Sequence, residues 1–203
     1  MSQLSSASAK PLSALLGKKA NPRPGLDSLF LPRTIAVIGA TERPGTVGRS
    51  VTANLIQSNF PKKIFVVSPK HEQVLGIRTH RHIRDIPDSI DLALVMTPAQ
   101  TVPQIIGDCV DAGVKSAVVI SAGFREQGRT GAALEEEIKT HLRRGPLRLL
   151  GPNCMGFMNP TIDLNATFAK TISQKGSVAF LSQSGALQTA ILDWSEKEHV
   201  GFS

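Results

Sequence analysis

The sequence predicts an α/β protein built on a doubly wound parallel sheet, followed by the start of a second α/β unit. Three observations carry this. The runs TIAVIGA, KIFVVSP, DLALVMTP and KSAVVISAG are short and almost unbroken in apolar residues, the pattern of strands buried on both faces. Stretches with helical spacing separate them, and strand–helix alternation of this kind makes a parallel sheet. The first run also breaks into a glycine-containing turn, GATERPGTVG, as a Rossmann-like sheet requires before its first helix.

In chain order, ordered structure is expected from Leu26. The segment LDSLFLPR groups Leu26, Leu29, Phe30 and Leu31 in a short helix that Pro32 stops. TIAVIGA is the first strand. Val47 to Ser58 is a helix, with Val51, Leu55 and Ile56 at helical spacing. KIFVVSP is a strand ended by Pro69, and DLALVMTP is a third, followed by a helix through Ile105 and Ile106 to Gly113. KSAVVISAG is the fourth strand. GAALEEEIKTHLRR is an amphipathic helix, acidic early and basic late as the helix dipole favours. LRLLGPN is the fifth strand. The pattern then restarts with GSVAFLSQ as a buried-type strand and SGALQTAILDWSEKEHV as a helix showing Leu187, Ala190, Ile191 and Trp194 on one face. The expected organisation is a basic tail over 1–25, a first domain over 26–158, a linker over 159–175, and an incomplete second, flavodoxin-like α/β domain over 176–203.

Bulk composition narrows the function. The chain has 203 residues, 41% of them hydrophobic, and no apolar run near the ~20 residues of a membrane helix. Its net charge is +7. Residues 1–33 hold Lys10, Lys18, Lys19, Arg23 and Arg33 against Asp27 alone. Such a basic balance favours anionic partners, but with no Tyr, one Trp and no recognition motif, nucleic acid is not expected. Cys109 and Cys154 form neither a zinc pattern nor a disulfide framework. The opening residues lack the apolar core of a signal peptide, so the expected location is the cytoplasm. His80 and His82 are read as part of an exposed basic loop, THRHIR, and no metal site is expected.

The glycine turn points to a phosphate. Gly39 ends the first strand, and Gly45 and Gly48 lead into the helix. Glycine permits sharp turning and close approach, and the helix N-terminus offers N–H groups and positive potential. The spacing is wider than the compact dinucleotide fingerprint. Where dinucleotide folds place an acidic residue for the ribose, this chain has Ser68, Pro69 and Lys70. A lysine there suits an extra ribose phosphate, either the 3′-phosphate of CoA or the 2′-phosphate of NADP. Ligands of open α/β sheets bind at the carboxyl ends of strands. Thr97, Pro98 and Ala99 are small enough there to wall an adenine slot. Ser121, Ala122, Gly123 and Phe124 are placed to border a pantetheine arm.

Six segments in order, TIAVIGAT, VSPK, MTPAQTVP, VVISAGF, LLGPNCMG and FLSQSGAL, resemble the CoA-binding region of NDP-forming acyl-CoA synthetases (succinyl-CoA ligase alpha-like). They also resemble bacterial protein lysine acetyltransferases that fuse this region to a GNAT domain, and ILDWSEKEHVGFS is closest to the latter. The resemblance covers 26–203. It implies that Gly39, Ala40, Thr41 and Gly45, Thr46, Val47 and Gly48 hold CoA phosphates. It implies that Lys70 lies near the ribose phosphate, that Thr97 to Ala99 face the adenine, and that Asn153 and Cys154 lie near the thiol end. Residues 176–203 would open a succinyl-CoA-ligase-like domain. Ser182, Gln183, Ser184 and Gly185 would begin the helix whose N-terminus receives a phosphohistidine. The family's Asn before Pro-Lys is Ser68 here. The implied ligands are CoA or acetyl-CoA, with ATP or ADP entering only through a downstream ATP-grasp region. The implied partners are a CoA thioester, a downstream ATP-grasp or GNAT domain, and a possible second copy of the chain. The catalytic histidine and both downstream domains lie outside these 203 residues, so no catalytic residue is assigned. The alternatives are a stand-alone CoA-binding regulator and an NADP-dependent oxidoreductase.

Overall fold

The computed structural model describes residues 26–60 and 63–203; the tail expected over 1–25 lies outside them. The short helix forms as α1 (Leu26–Phe30). The central strands are β1 (Thr34–Ile38), β2 (Lys63–Val67), β3 (Gln73–Val74), β4 (Ile77–His80), β5 (Leu92–Val95), β6 (Ser116–Val119) and β7 (Arg148–Leu150). They make one sheet in the order β3-β4-β2-β1-β5-β6-β7. All pairings are parallel except β3 with β4. From β1 the chain steps outward through β2 and β4, then returns to the other side of β1 for β5, β6 and β7. The winding direction therefore reverses between β1 and β5, where Ile35 faces Leu92 and Ile38 faces Val95 in register. Ligands of such sheets sit in the crevice beyond this switch point.

The side-chain alternation of the strands separates two cores. Ala36, Ile38, Ala93, Val95, Ala117 and Val119 pack with α3 (Val102–Asp111) and α4 (Arg129–Leu142) through Val102, Ile106, Cys109 and Ile138. Ile35, Val37, Leu92, Leu94, Val118 and Ile120 pack with Val51 and Leu55 of α2 (Val47–Gln57) and with Leu29 of α1. This second face is completed by an antiparallel pair, β8 (Gly156–Asn159) with β9 (Leu164–Thr167). Leu164 and Ala166 of β9 belong to that core. Residues 159–175 are therefore not simply a linker. Asn54 of α2 donates both to the Thr167 carbonyl and to the Ala169 carbonyl at 2.8 Å, so β9 is fastened to the helix that begins at the glycine turn. The polar side chains of β9 are buried because they satisfy one another: Asn165 accepts from the Thr167 N–H at 3.1 Å and from its hydroxyl at 2.8 Å.

The pattern also departs from expectation at β3 and β4. THRHIR is not wholly a loop. Thr79 and His80 lie in β4, paired with Val66 and Val67 of β2, and the His80 ring packs edge-on to Phe65 at 5.8 Å.

Beyond β9 lie β10 (Lys175–Val178) and α5 (Gly185–Lys197). The expected buried-type strand forms only over 175–178, and all four residues are exposed. Its partner is Phe202, bridged in parallel to Lys175 and Val178, so β10, α5 and Phe202 trace a single parallel crossover. Leu187 and Trp194 are each 49% exposed on α5.

Candidate functional site at the switch point

The glycine turn runs from β1 to α2 beside the end of β5. Gly39 has φ +97°, and a Cβ there would lie 2.7 Å from the Met96 carbonyl and 3.1 Å from the Thr97 methyl. Only glycine fits between the two strand ends. Gly45, at φ +74°, has open space where a side chain would be, so its requirement is conformational. Gly48 is a packing residue instead: a Cβ would overlap the Gly39 carbonyl oxygen. Thr46 caps α2, accepting the Arg49 N–H at 3.4 Å and donating to the Arg43 carbonyl at 2.8 Å. Ala40 is buried in the core.

The end of β2 stands one strand away. Ser68 is buried and its hydroxyl accepts the His71 N–H at 3.3 Å, while Pro69 and Lys70 are exposed. The sequence reading missed how this strand end is tied to the glycine turn. Glu42, inside the turn, accepts the Leu75 N–H at 2.6 Å and the Arg49 guanidinium at 3.3 Å. Glu42 stood within the quoted turn, but its partner at Leu75 is 33 residues away.

On the other side of the switch point a cleft of about 1340 Å³ opens beyond the ends of β5, β6 and β7. Val47, Thr97, Pro98, Ser121, Ala122, Asn153, Cys154, Ser182, Gln183 and Gly185, all singled out in the sequence, line it. The far wall was not foreseen: it is Phe157 and Met158 of β8, Phe168, and Phe180 and Leu192 of the last crossover. Among the described residues, no lining side chain is charged. Gly39, Ala40, Thr41, Gly45, Thr46, Gly48, Ser68, Pro69 and Lys70 lie outside the cleft, and Val47 at the start of α2 adjoins the two regions.

Two of the expected residues sit otherwise than the sequence suggested. Ala99 is buried at 4% exposure, in the core behind Thr97 and Pro98. Gly123 packs on it: a Cβ on Gly123 would lie 2.9 Å from the Ala99 methyl. The Gly123 and Phe124 N–H groups both donate to Glu126, at 2.5 and 3.1 Å. The Gly123 N–H chiefly holds the Glu126 carboxyl below its ordinary pKa. Ser184 does not line the cleft; it caps α5 by accepting the Leu187 N–H at 3.2 Å. Asn153 is held at φ 52° by its N–H to the Ser121 carbonyl at 2.9 Å. The Cys154 thiol donates to the Val119 carbonyl at 3.3 Å. Burial pushes its pKa up.

This arrangement gives a phosphate-type turn and a long neutral cleft on the two sides of one switch point. Residues 33–160 match the family model described as CoA binding domain. The chain belongs to the CoA binding domain family. The likeness runs past that domain. The chain is 43% identical over 178 residues to acetate–CoA ligase [ADP-forming] I of Archaeoglobus fulgidus, covering 88% of this chain and 26% of the relative. It is 42% identical, again over 88% of this chain, to subunit alpha of acetate–CoA ligase [ADP-forming] II of Pyrococcus furiosus, covering 38% of that subunit. Among solved structures, the dinucleotide forming acetyl-coenzyme A synthetase 1 of Ca. Korarchaeum cryptofilum in complex with phosphate and ADP superposes with a TM-score of 0.83 at 38% identity, over 88% of this chain and 38% of that one. The chain with this CoA binding domain thus spans about a quarter to two fifths of the length of these relatives. The resemblance to NDP-forming acyl-CoA synthetases is met by these matches. Among the described residues, no helix is long and apolar enough to cross a membrane.

Proposed function

We propose that this chain binds CoA or acetyl-CoA and forms the CoA-binding portion of an ADP-forming acyl-CoA synthetase. The observation that carries the reading is the division at the switch point. A glycine turn and helix N-terminus, with Lys70 on the neighbouring strand end, stand on one side. A cleft with no charged lining side chain among the described residues stands on the other. CoA has the same division: a triply phosphorylated nucleotide at one end and a neutral pantetheine arm at the other.

In this reading the backbone of Gly39 to Thr41 and Gly45 to Gly48 meets the pyrophosphate at the start of α2. Lys70 meets the 3′-phosphate. Thr97 and Pro98 border the adenine, and the arm passes Ser121 and Ala122 toward Asn153. In the whole enzyme the reaction is acyl-CoA + ADP + phosphate ⇌ carboxylic acid + CoA + ATP. The turn Ser182 to Gly185, opening α5, takes the phosphoryl group carried by a histidine outside this chain, and ADP enters through an ATP-grasp region.

Calorimetric titration of the chain with CoA, acetyl-CoA and NADP tests the proposal. Saturable binding of CoA and acetyl-CoA, with NADP weaker, is expected. Tighter binding of NADP would replace the reading with a dinucleotide-dependent one.

A further inference from the structure

The one acidic side chain in the glycine turn looks out of place beside a phosphate. Its contacts give it a different task. Val74 pairs with Ile77, so Leu75 and Gly76 form a two-residue turn between β3 and β4. Both have positive φ, 48° and 81°, as the favoured hairpin turn requires. Leucine is a rare occupant of that conformation, and the first N–H of such a turn has no partner in the ladder. Glu42 supplies one, a charge-assisted acceptor at 2.6 Å. The Arg49 contact at 3.3 Å, between side chains 37% and 58% exposed, is the weaker of the two.

The hairpin is in turn joined to the segment after β2. The Thr79 N–H donates to the Glu72 carbonyl at 3.0 Å, the Thr79 hydroxyl to the His71 carbonyl, and the Ser68 N–H to the His80 carbonyl at 2.9 Å. Lys70 lies between these anchors. A continuous series of hydrogen bonds therefore runs from Glu42 through Leu75 and the hairpin to the backbone on either side of Lys70.

We propose that Glu42 is a positioning residue that couples the glycine turn to the β3–β4 hairpin and so fixes the distance between that turn and Lys70. The inference rests on the CoA reading. It assigns to Glu42 the spacing by which the site tells a ribose 3′-phosphate from a bare ribose.

The test compares the chain with Glu42→Gln, which keeps an acceptor for Leu75, and Glu42→Ala, which does not. CoA and dephospho-CoA are titrated into each. The parent and Glu42→Gln should prefer CoA by about tenfold, the scale of one charge-assisted contact. Glu42→Ala should keep its fold but prefer CoA by less than about twofold. A preserved preference in Glu42→Ala, or an equal loss in Glu42→Gln, would overturn the coupling. Amide exchange without ligand separates this failure from failure of the CoA reading. If no protein binds CoA, the functional reading falls, yet the Leu75 amide must still exchange faster in Glu42→Ala than in Glu42→Gln. Equal exchange would remove the latch itself.

Discussion

β5 and β10 read alike in the sequence and end in opposite environments. LALV of β5 lies at 0% exposure in each residue, between β1 and β6. KGSV of β10 is exposed throughout and is bridged to Phe202. The runs DLALVMTP and GSVAFLSQ give the same signal for a doubly buried strand. An apolar run states what a strand needs; whether the need is met depends on neighbours elsewhere in the chain. Phe180, Leu181 and Trp194, at 39, 88 and 49% exposure, show a need unmet within the described residues.

Amide exchange gives the largest expected effect. The amides of β1, β5 and β6 open only with the whole sheet, and those of β10 and α5 open locally. The two groups should differ by on the order of 10³-fold or more in protection, given ordinary domain stabilities. Equal slow exchange over 175–197 in a proven monomer would break the comparison.

The glycine turn sharpens it at one site. Gly48→Val forces a side chain into the Gly39 carbonyl and should cost about 1–3 kcal/mol of stability, with binding lost through damage to the fold. Gly45→Asn accepts positive φ and meets open space, so its melting temperature should stay near the parent value. Any loss of CoA affinity in Gly45→Asn then reports the close approach of the ligand. Gly48→Val is consequently no clean test of ligand contact, although the two glycines look equivalent in the sequence.

How much was legible follows the same division. The parallel strands were readable because each is apolar over its whole length and flanked by helical periodicity. The glycine turn was readable because backbone freedom is written in residue type. β4 was not, because three of its four residues, Arg78, Thr79 and His80, are polar, and its turn is Leu75–Gly76 where Asn-Gly would have signalled a hairpin. β9 looked like linker because Asn165 and Thr167 are polar; only their mutual hydrogen bonds allow burial. The neutral wall of the cleft was hidden for the same reason, since it is built on β8, the partner of β9. Ala99 and Gly123 were placed in the site by sequence position at strand ends, but Ala99 is in the core and half-buried Gly123 packs on its methyl.

A smaller effect separates the two regions by pH. Asp91, just before β5 and at the opposite end of the strands from the cleft, bonds Lys115 at 2.6 Å and the Arg33 N–H at 2.8 Å. Burial raises the pKa of its carboxyl, but these hydrogen bonds and charges outweigh burial and leave it below the ordinary value. The unfolded chain therefore binds the proton more tightly. The stability from Asp91 is present above its unfolded pKa and is lost as pH falls through the lower folded value. Asp91→Asn should lower the stability of the sheet by about 1–3 kcal/mol near neutral pH and flatten its acid dependence. The exchange of β10 should not respond. An unchanged acid limb in the variant would assign the pH dependence to other carboxylates.

The two sides of the switch point provide the most direct test of the account, because among the described residues only one of them offers the ligand a charged side chain, Lys70. Calorimetry on the parent chain and on Lys70→Ala, each with CoA and dephospho-CoA, isolates the 3′-phosphate. The parent should bind CoA about tenfold more tightly than dephospho-CoA, and Lys70→Ala should bind the two alike, at the parent's affinity for dephospho-CoA. Equal affinity of the parent for both ligands, or a preference that survives Lys70→Ala, would contradict the placement of the 3′-phosphate beside Lys70.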